Sequence, residues 1–218
     1  PAIVSAYQDT PPTVLTVRTN SSNVMKNKYY ATFFREFLSR PRAVGALLPS
    51  SPQLATRMVN SIDWKHVEVA LEYGPGTGAF TGHIIKQLTP DSRFLAIELS
   101  PQFAQLLAAQ FPQATICTGN VADVASICGQ HDISQVDAIV SGLPWAVFHD
   151  QDQEEYLDAM MNVLRKDGQF VTFGYLQGLL LPAARRFRRR LEKYFNTVEA
   201  SSPVWSNFPP AIYYHCRR

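Results

Sequence analysis

From residue 67 onward, short apolar runs alternate with stretches in which apolar positions recur every three or four residues. Runs of the first kind predict strands over 67–73, 93–98, 114–118, 136–141, 169–174, 197–201 and 211–216. Stretches of the second kind predict helices over 79–88, 101–111, 153–164 and 181–194, the second capped by Ser100. Upstream, Tyr29, Tyr30, Phe33, Phe34, Phe37 and Leu38 fall at helical spacing among polar residues, giving an amphipathic helix over 26–40. Arg40-Pro41 ends it, because the residue before a proline is pushed out of the α region. A second helix starts at Ser50 or Ser51, with Pro52 at its first position, and runs to about residue 62. Residues 1–25 are rich in Ser, Thr, Asn and Pro without periodicity, which predicts a flexible tail.

Strands alternating with helices imply βαβ units and a mostly parallel sheet covered on both faces. The expected fold is therefore α/β, with a seven-stranded Rossmann-like sheet and an N-terminal helical extension. Three regions follow: a tail over 1–25, capping helices over 26–62 and a catalytic domain over 63–218. The last two strands, with no helix between them, suggest an antiparallel hairpin at one edge.

Composition narrows the class. At 46% apolar and 17% charged, the 218 residues are those of a globular protein. A net charge of only +2 gives no nucleic-acid signature for the whole molecule. Cys117, Cys128 and Cys216 show no metal-ligand spacing, and their odd number argues against a disulfide framework, so no metal is expected and the thiols read as reduced. No apolar run approaches the roughly 20 residues of a membrane span, and no leader pattern opens the sequence. The expectation is a cytoplasmic monomer whose membrane contact, if any, is peripheral.

The chemistry starts at Glu72-Tyr73-Gly74-Pro75-Gly76-Thr77-Gly78, between a predicted strand and a predicted helix. Glycines in that setting permit positive φ and close backbone approach to a ligand. Nucleotide dehydrogenases begin similarly, but the spacing is Gly-x-Gly-x-Gly and not their Gly-x-Gly-x-x-Gly. An acidic residue ahead of the loop, Glu72, suits a cationic amino-acid end and not a pyrophosphate. The loop therefore points to S-adenosylmethionine, with a ligand-free tight turn as the plainer reading. Glu98, at the end of the second strand and beside Leu99, lies about 20 residues on, where a carboxylate accepts ribose hydroxyls. Asn120 and Val121 end the third strand, and the Asn120 side chain suits an adenine amine, although Asn is equally a turn residue.

The fourth strand ends Ser141-Gly142-Leu143-Pro144-Trp145, beyond which the methyl group is expected to lie. This resembles the Asn-Leu-Pro-Tyr motif of rRNA adenine dimethyltransferases, with Gly142 in place of the Asn and Trp145 in place of the Tyr. Without the amide, adenine loses its main positioning contact. Trp145 bounds an apolar slot or faces a cation, or else is a buried structural Trp. Ser141 and the nearby backbone carbonyls, with Tyr29 or Tyr175, are the candidates to receive a proton.

With these segments in view, the chain resembles the bacterial phospholipid N-methyltransferases. The resemblance runs from about residue 26 to the end. It is carried by Arg40-Pro41-Arg42-Ala43-Val44-Gly45-Ala46-Leu47-Leu48-Pro49-Ser50-Ser51, the glycine loop, Phe111-Pro112, Ser141-Gly142-Leu143-Pro144 and Val204-Trp205-Ser206-Asn207-Phe208-Pro209-Pro210-Ala211. It implies transfer of methyl groups from S-adenosylmethionine to the amine of phosphatidylethanolamine, toward phosphatidylcholine, and an N-terminal helix that docks on the bilayer. Asn120 stands where that family usually has Asp, and Tyr73 where Leu is common, which leaves another aminolipid, such as an ornithine lipid, open. An adenine N6-methyltransferase acting on rRNA is the alternative.

An anionic membrane surface is the expected partner. The helix over 26–40, including Tyr29, Phe33 and Phe34, is aromatic on one side and basic at its ends. The run Arg185-Arg186-Phe187-Arg188-Arg189-Arg190 makes a local positive field in which Arg185 and Arg189 are candidates for lipid phosphate, with a solvated helix face as the alternative.

Overall fold

The structure is a computed structural model of the chain, and it describes residues 15–16, 50–180 and 182–218. The predicted helix over 26–40, with Tyr29, Phe33 and Phe34, and the 45–49 loop lie outside the described residues. Eight strands form one sheet in the order β1-β4-β3-β2-β5-β6-β8-β7. They are β1 Leu15–Thr16, β2 Val69–Tyr73, β3 Arg93–Glu98, β4 Thr115–Thr118, β5 Val136–Ser141, β6 Leu164–Tyr175, β7 Thr197–Ala200 and β8 Ala211–Arg217. Strands β2 to β8 are the seven expected from the apolar runs. The two-residue β1 adds a short parallel edge, Leu15 opposite Cys117. β7 and β8 pair antiparallel at one edge of the sheet, as expected, with β8 between β6 and β7.

The helices are α1 Pro52–Asn60, α2 Thr81–Ile85, α3 Pro101–Gln110, α4 Val124–Gly129, α5 Asp150–Val163 and α6 Pro182–Tyr194. α1 starts as its sequence dictates: the Ser51 side chain accepts from Leu54 N at 3.2 Å, and Pro52 follows. α4 had no counterpart among the expected helices, being only six residues long.

Each face of the sheet carries its own core. Leu54 and Met58 of α1, Ile84 of α2 and Leu107 of α3 pack on Ala70, Ala96, Ala138 and Val140. On the other face, Ile127 of α4, Leu157 and Met160 of α5, and Phe187 and Leu191 of α6 cover Leu71, Leu95, Ile139 and Phe170. Each such large side chain contributes about 1.5–3 kcal/mol on burial. The alternation along β2 sends Leu71 and Tyr73 to one core and Ala70 to the other, which leaves Glu72 inside the α1–α3 side with no exposure.

The amino ends of the strands are closed by paired polar groups. Buried Asp137, at the start of β5, accepts from Glu68 N at 3.0 Å and Val69 N at 2.9 Å and pairs with Arg165 at 2.7 Å. Buried Gln169 accepts from Asp63 N at 3.0 Å and meets His215 Nε2 at 3.2 Å.

Candidate active site

At the carboxyl ends of the parallel strands the backbone turns four times in close proximity. After β2, Gly74, Gly76 and Gly78 have φ of 62°, 56° and 81°. At Gly74 the positive φ favours glycine, and a Cβ there would displace the Leu143 side chain, whose Cδ2 stands 2.5 Å from it. After β5, a Cβ on Gly142 would stand 2.6 Å from the Gly74 carbonyl oxygen. The two turns touch backbone to backbone, and Gly142 N donates to Tyr73 O at 2.8 Å. An Asn at position 142, as an adenine enzyme would need, has no room.

A cavity opens over these turns. Its wall includes Gly74 from the loop, Ile97, Glu98 and Leu99 from the end of β3, and Gly119, Asn120 and Val121 from the end of β4. Leu143, Pro144 and Phe148 follow β5, and Tyr156 comes from α5. Glu98 Oε2 accepts from Gly76 N at 3.0 Å and Oε1 from Ser100 N at 2.9 Å. Burial pushes its carboxyl above the ordinary range, and the amides of Ser100, Gly76 and Leu99 pull it back. Asn120 accepts from Ala122 N at 3.0 Å, and its side chain also hydrogen-bonds the Tyr156 phenol.

Glu72 lies beneath the loop. Its Oε2 accepts the Thr81 hydroxyl at 2.7 Å, while Oε1, fully buried, has no partner. Burial pushes Glu72 up to about 8, offset by the Thr81 hydrogen bond and reinforced by the nearby Glu98. A buried acid with one orphaned oxygen beside a glycine turn suits a cationic ligand group. Glu98 and Asn120 in the cavity wall suit the adenosine end of S-adenosylmethionine, and Glu72, buried behind the glycine turn and outside the wall itself, has the charge that suits its ammonium.

Several expected site residues sit elsewhere. Gly76 and Thr77 border a separate depression against α3, with Phe103 and Leu106, and Gly78 packs on Phe111. Trp145 does not bound the cavity: it is 1% exposed, stacks on Phe187 at 5.2 Å and meets Phe170 and Tyr156 edge-on. Its indole N–H donates to Ser141 Oγ at 2.9 Å. That hydroxyl, also bonded by Leu143 N at 3.3 Å, is wholly buried under the turn and is not placed to receive a substrate proton. Tyr175, the last residue of β6, is at this edge, and burial pushes its phenol up to about 12, so it is neutral at pH 7.

Arg186 pairs with Asp150 at 3.3 Å, Arg188 with Glu192 at 3.0 Å, and Arg190 with Asp150 and Glu154, each at 3.2 Å. Arg185 and Arg189 are exposed without a carboxylate partner among the described residues. Phe148 and Tyr156 were not anticipated as wall residues. Phe148, four residues past Pro144 on the ligand side of β5, was a legible signal; Tyr156 looked like ordinary helix core.

Known proteins share this fold. The family described as "Methyltransferase domain" matches residues 70–168. A TehB-like SAM-dependent methyltransferase from Corynebacterium glutamicum shares the fold with TM-score 0.55 at 18% identity, over 90% of this chain and 100% of its own. The O-methyltransferase TomG from Streptomyces achromogenes, solved with SAM, aligns with TM-score 0.60 at 16% identity, over 92% and 91%. The sheet, the glycine turn and the two acids define a class I S-adenosylmethionine-dependent methyltransferase, and this chain is one. Its sequence is 32% identical over 193 residues to an ornithine lipid N-methyltransferase of Singulisphaera acidiphila, covering 87% of this chain and 96% of that protein. The chain belongs to that lipid N-methyltransferase family.

Proposed function

We propose that the enzyme methylates the primary amine of an aminolipid head group, an ornithine lipid or phosphatidylethanolamine, at a bilayer surface that it meets as a monomer. The observation that carries this reading is the near full-length similarity to a lipid N-methyltransferase. The lack of room at Gly142 for an adenine-binding amide supports it. Among the described residues no helix is long and apolar enough to cross a membrane, which fits peripheral contact.

When bound, S-adenosylmethionine supplies an electrophilic methyl group on a sulfonium. Glu98 would hold its ribose hydroxyls, Glu72 its ammonium and Asn120 its adenine edge. The protein's remaining work is to position the amine and keep it neutral. A free alkylamine has a pKa near about 10.4. The apolar wall of Leu143, Pro144 and Phe148 disfavours its charged form. Among the described residues, the titratable side chains of the cavity wall are Glu98, held by backbone amides, and Tyr156, which burial pushes up to about 12. On this reading turnover rises with pH as the amine is neutralised.

The test is direct: incubate the protein with methyl-labelled cofactor and a mixture of phosphatidylethanolamine, ornithine lipid and an adenine-containing rRNA fragment, then identify the labelled species. Label in one of the lipids is expected. Label in the RNA alone would overturn the reading.

A further inference from the structure

Among the described residues four large apolar side chains are exposed, and two of them, Trp205 (71%) and Phe208 (64%), share the loop between β7 and β8. That loop is not slack. Val204 bridges to Ala211, and buried Asn207, between the two aromatics, accepts from Ser51 N at 2.8 Å and donates to Pro209 O at 2.6 Å. The chain thus fixes the backbone inward and holds both rings outward.

Its place in the fold matters as much. Ala211 pairs with Tyr175, the last residue of β6, and Leu176 N donates to Pro210 O at 2.7 Å, so the loop stands at the same edge of the sheet as the cofactor cavity. Residues 201–211 carry no charged side chain. Arg57 of α1 donates to Ser202 Oγ at 2.8 Å and lies at the surface. α6, with Arg185 in its first turn, starts from the same edge. Large aromatics on an uncharged loop, with Arg57 beside them and exposed Glu199 two residues upstream, match the chemistry of a phospholipid headgroup layer, where Trp and Phe settle and phosphates pair with Arg.

We infer that Trp205 and Phe208 form a lipid-surface anchor that seats the open edge of the sheet on an anionic bilayer. This rests on the aminolipid reading, since the amine to be methylated would then lie in the same surface. The anchor acts on access to substrate and not on the transfer itself.

The experiment uses the full chain and vesicles of phosphatidylcholine with and without phosphatidylglycerol, some carrying lipids brominated along the acyl chain. Trp205 emission, taken as the difference between wild type and Trp205→Phe, should shift to the blue with vesicles and be quenched by the brominated lipid. Trp205→Ser/Phe208→Ser should partition onto vesicles about tenfold more weakly. It should raise the apparent KM for aminolipid in vesicles, while kcat and turnover of a short-chain aminolipid below its micelle concentration stay as in wild type. Unchanged partitioning of the double variant overturns the anchor. So does Trp205 emission that is indifferent to brominated lipid while the protein binds, or that shifts with protein concentration alone, which would mean self-association. If wild type methylates no aminolipid in either form, the substrate reading fails, and the partitioning and quenching measurements still decide the anchor.

Discussion

The two edges of the sheet are built from the same kinds of residue and finished differently. At the amino edge, Asp137 and Gln169 are buried, and each has two or more partners. At the carboxyl edge, Glu72 Oε1, Tyr73 Oη, Thr118 Oγ1 and Asp123 Oδ2 are all buried without a hydrogen bond, and no such side-chain atom is found at the other edge among the described residues. Leaving a buried polar atom unpaired costs about 1–3 kcal/mol. One edge has its buried polar groups paired, and the other leaves four buried atoms unpaired on residues that lie behind the cavity wall and not in it.

This contrast can be broken from either side. The largest effect is expected from Glu98→Ala, which removes a carboxylate from the cavity wall: cofactor affinity by calorimetry should fall roughly 10²- to 10³-fold. An unchanged Kd would sink its ribose role. Asp137→Ala should do the reverse, costing about 1–3 kcal/mol of stability through its two backbone hydrogen bonds and lowering Tm by roughly 2–12 °C while cofactor affinity stays as in wild type. A matching loss of affinity would mean that the two edges are not independent.

The subtlest test is Glu72→Gln. Glu72 titrates at about 8 in the folded protein against an ordinary value of 4.5. Because the folded value is the higher one, its contribution to stability is complete below the ordinary value and is lost as pH rises through about 8. The variant escapes that loss, so without ligand its Tm should exceed that of wild type by a few degrees near about pH 9 and converge with it toward about pH 5. Cofactor affinity should run the other way, rising with pH through about 8 in wild type as Glu72 ionises and remaining flatter in the variant. Thermal scans and calorimetry across that range would show it.

Much of the carboxyl edge was readable in the chain, because it depends on local rules. Glu98 and Ser141 close strands whose apolar runs are unbroken, and Gly74 sits where only a strand-to-helix turn can follow. What escaped depends on contacts distant in sequence. Tyr156 has the helical spacing of a core residue, and only the packing of α5 beside Asn120 makes it a cavity wall. Trp145 follows a turn that faces the ligand, yet its ring rotates into the stack with Phe187, some forty residues later. That β8 and not β7 pairs with β6 is likewise a matter of pairing partners that no local pattern states. Which amine is methylated was not legible at all, since the acceptor leaves no spacing rule in the residues that meet it.

The contact between Gly142 and the Gly74 carbonyl has a bearing on how this enzyme can change. Volume that another methyltransferase would fill with a side chain is here occupied by main chain. A single substitution at 142 would therefore meet the cofactor turn before it met any new acceptor. Routes to altered acceptor choice, in the laboratory or by drift, begin further along, at Pro144 and Phe148, where the wall is made of side chains and not main chain.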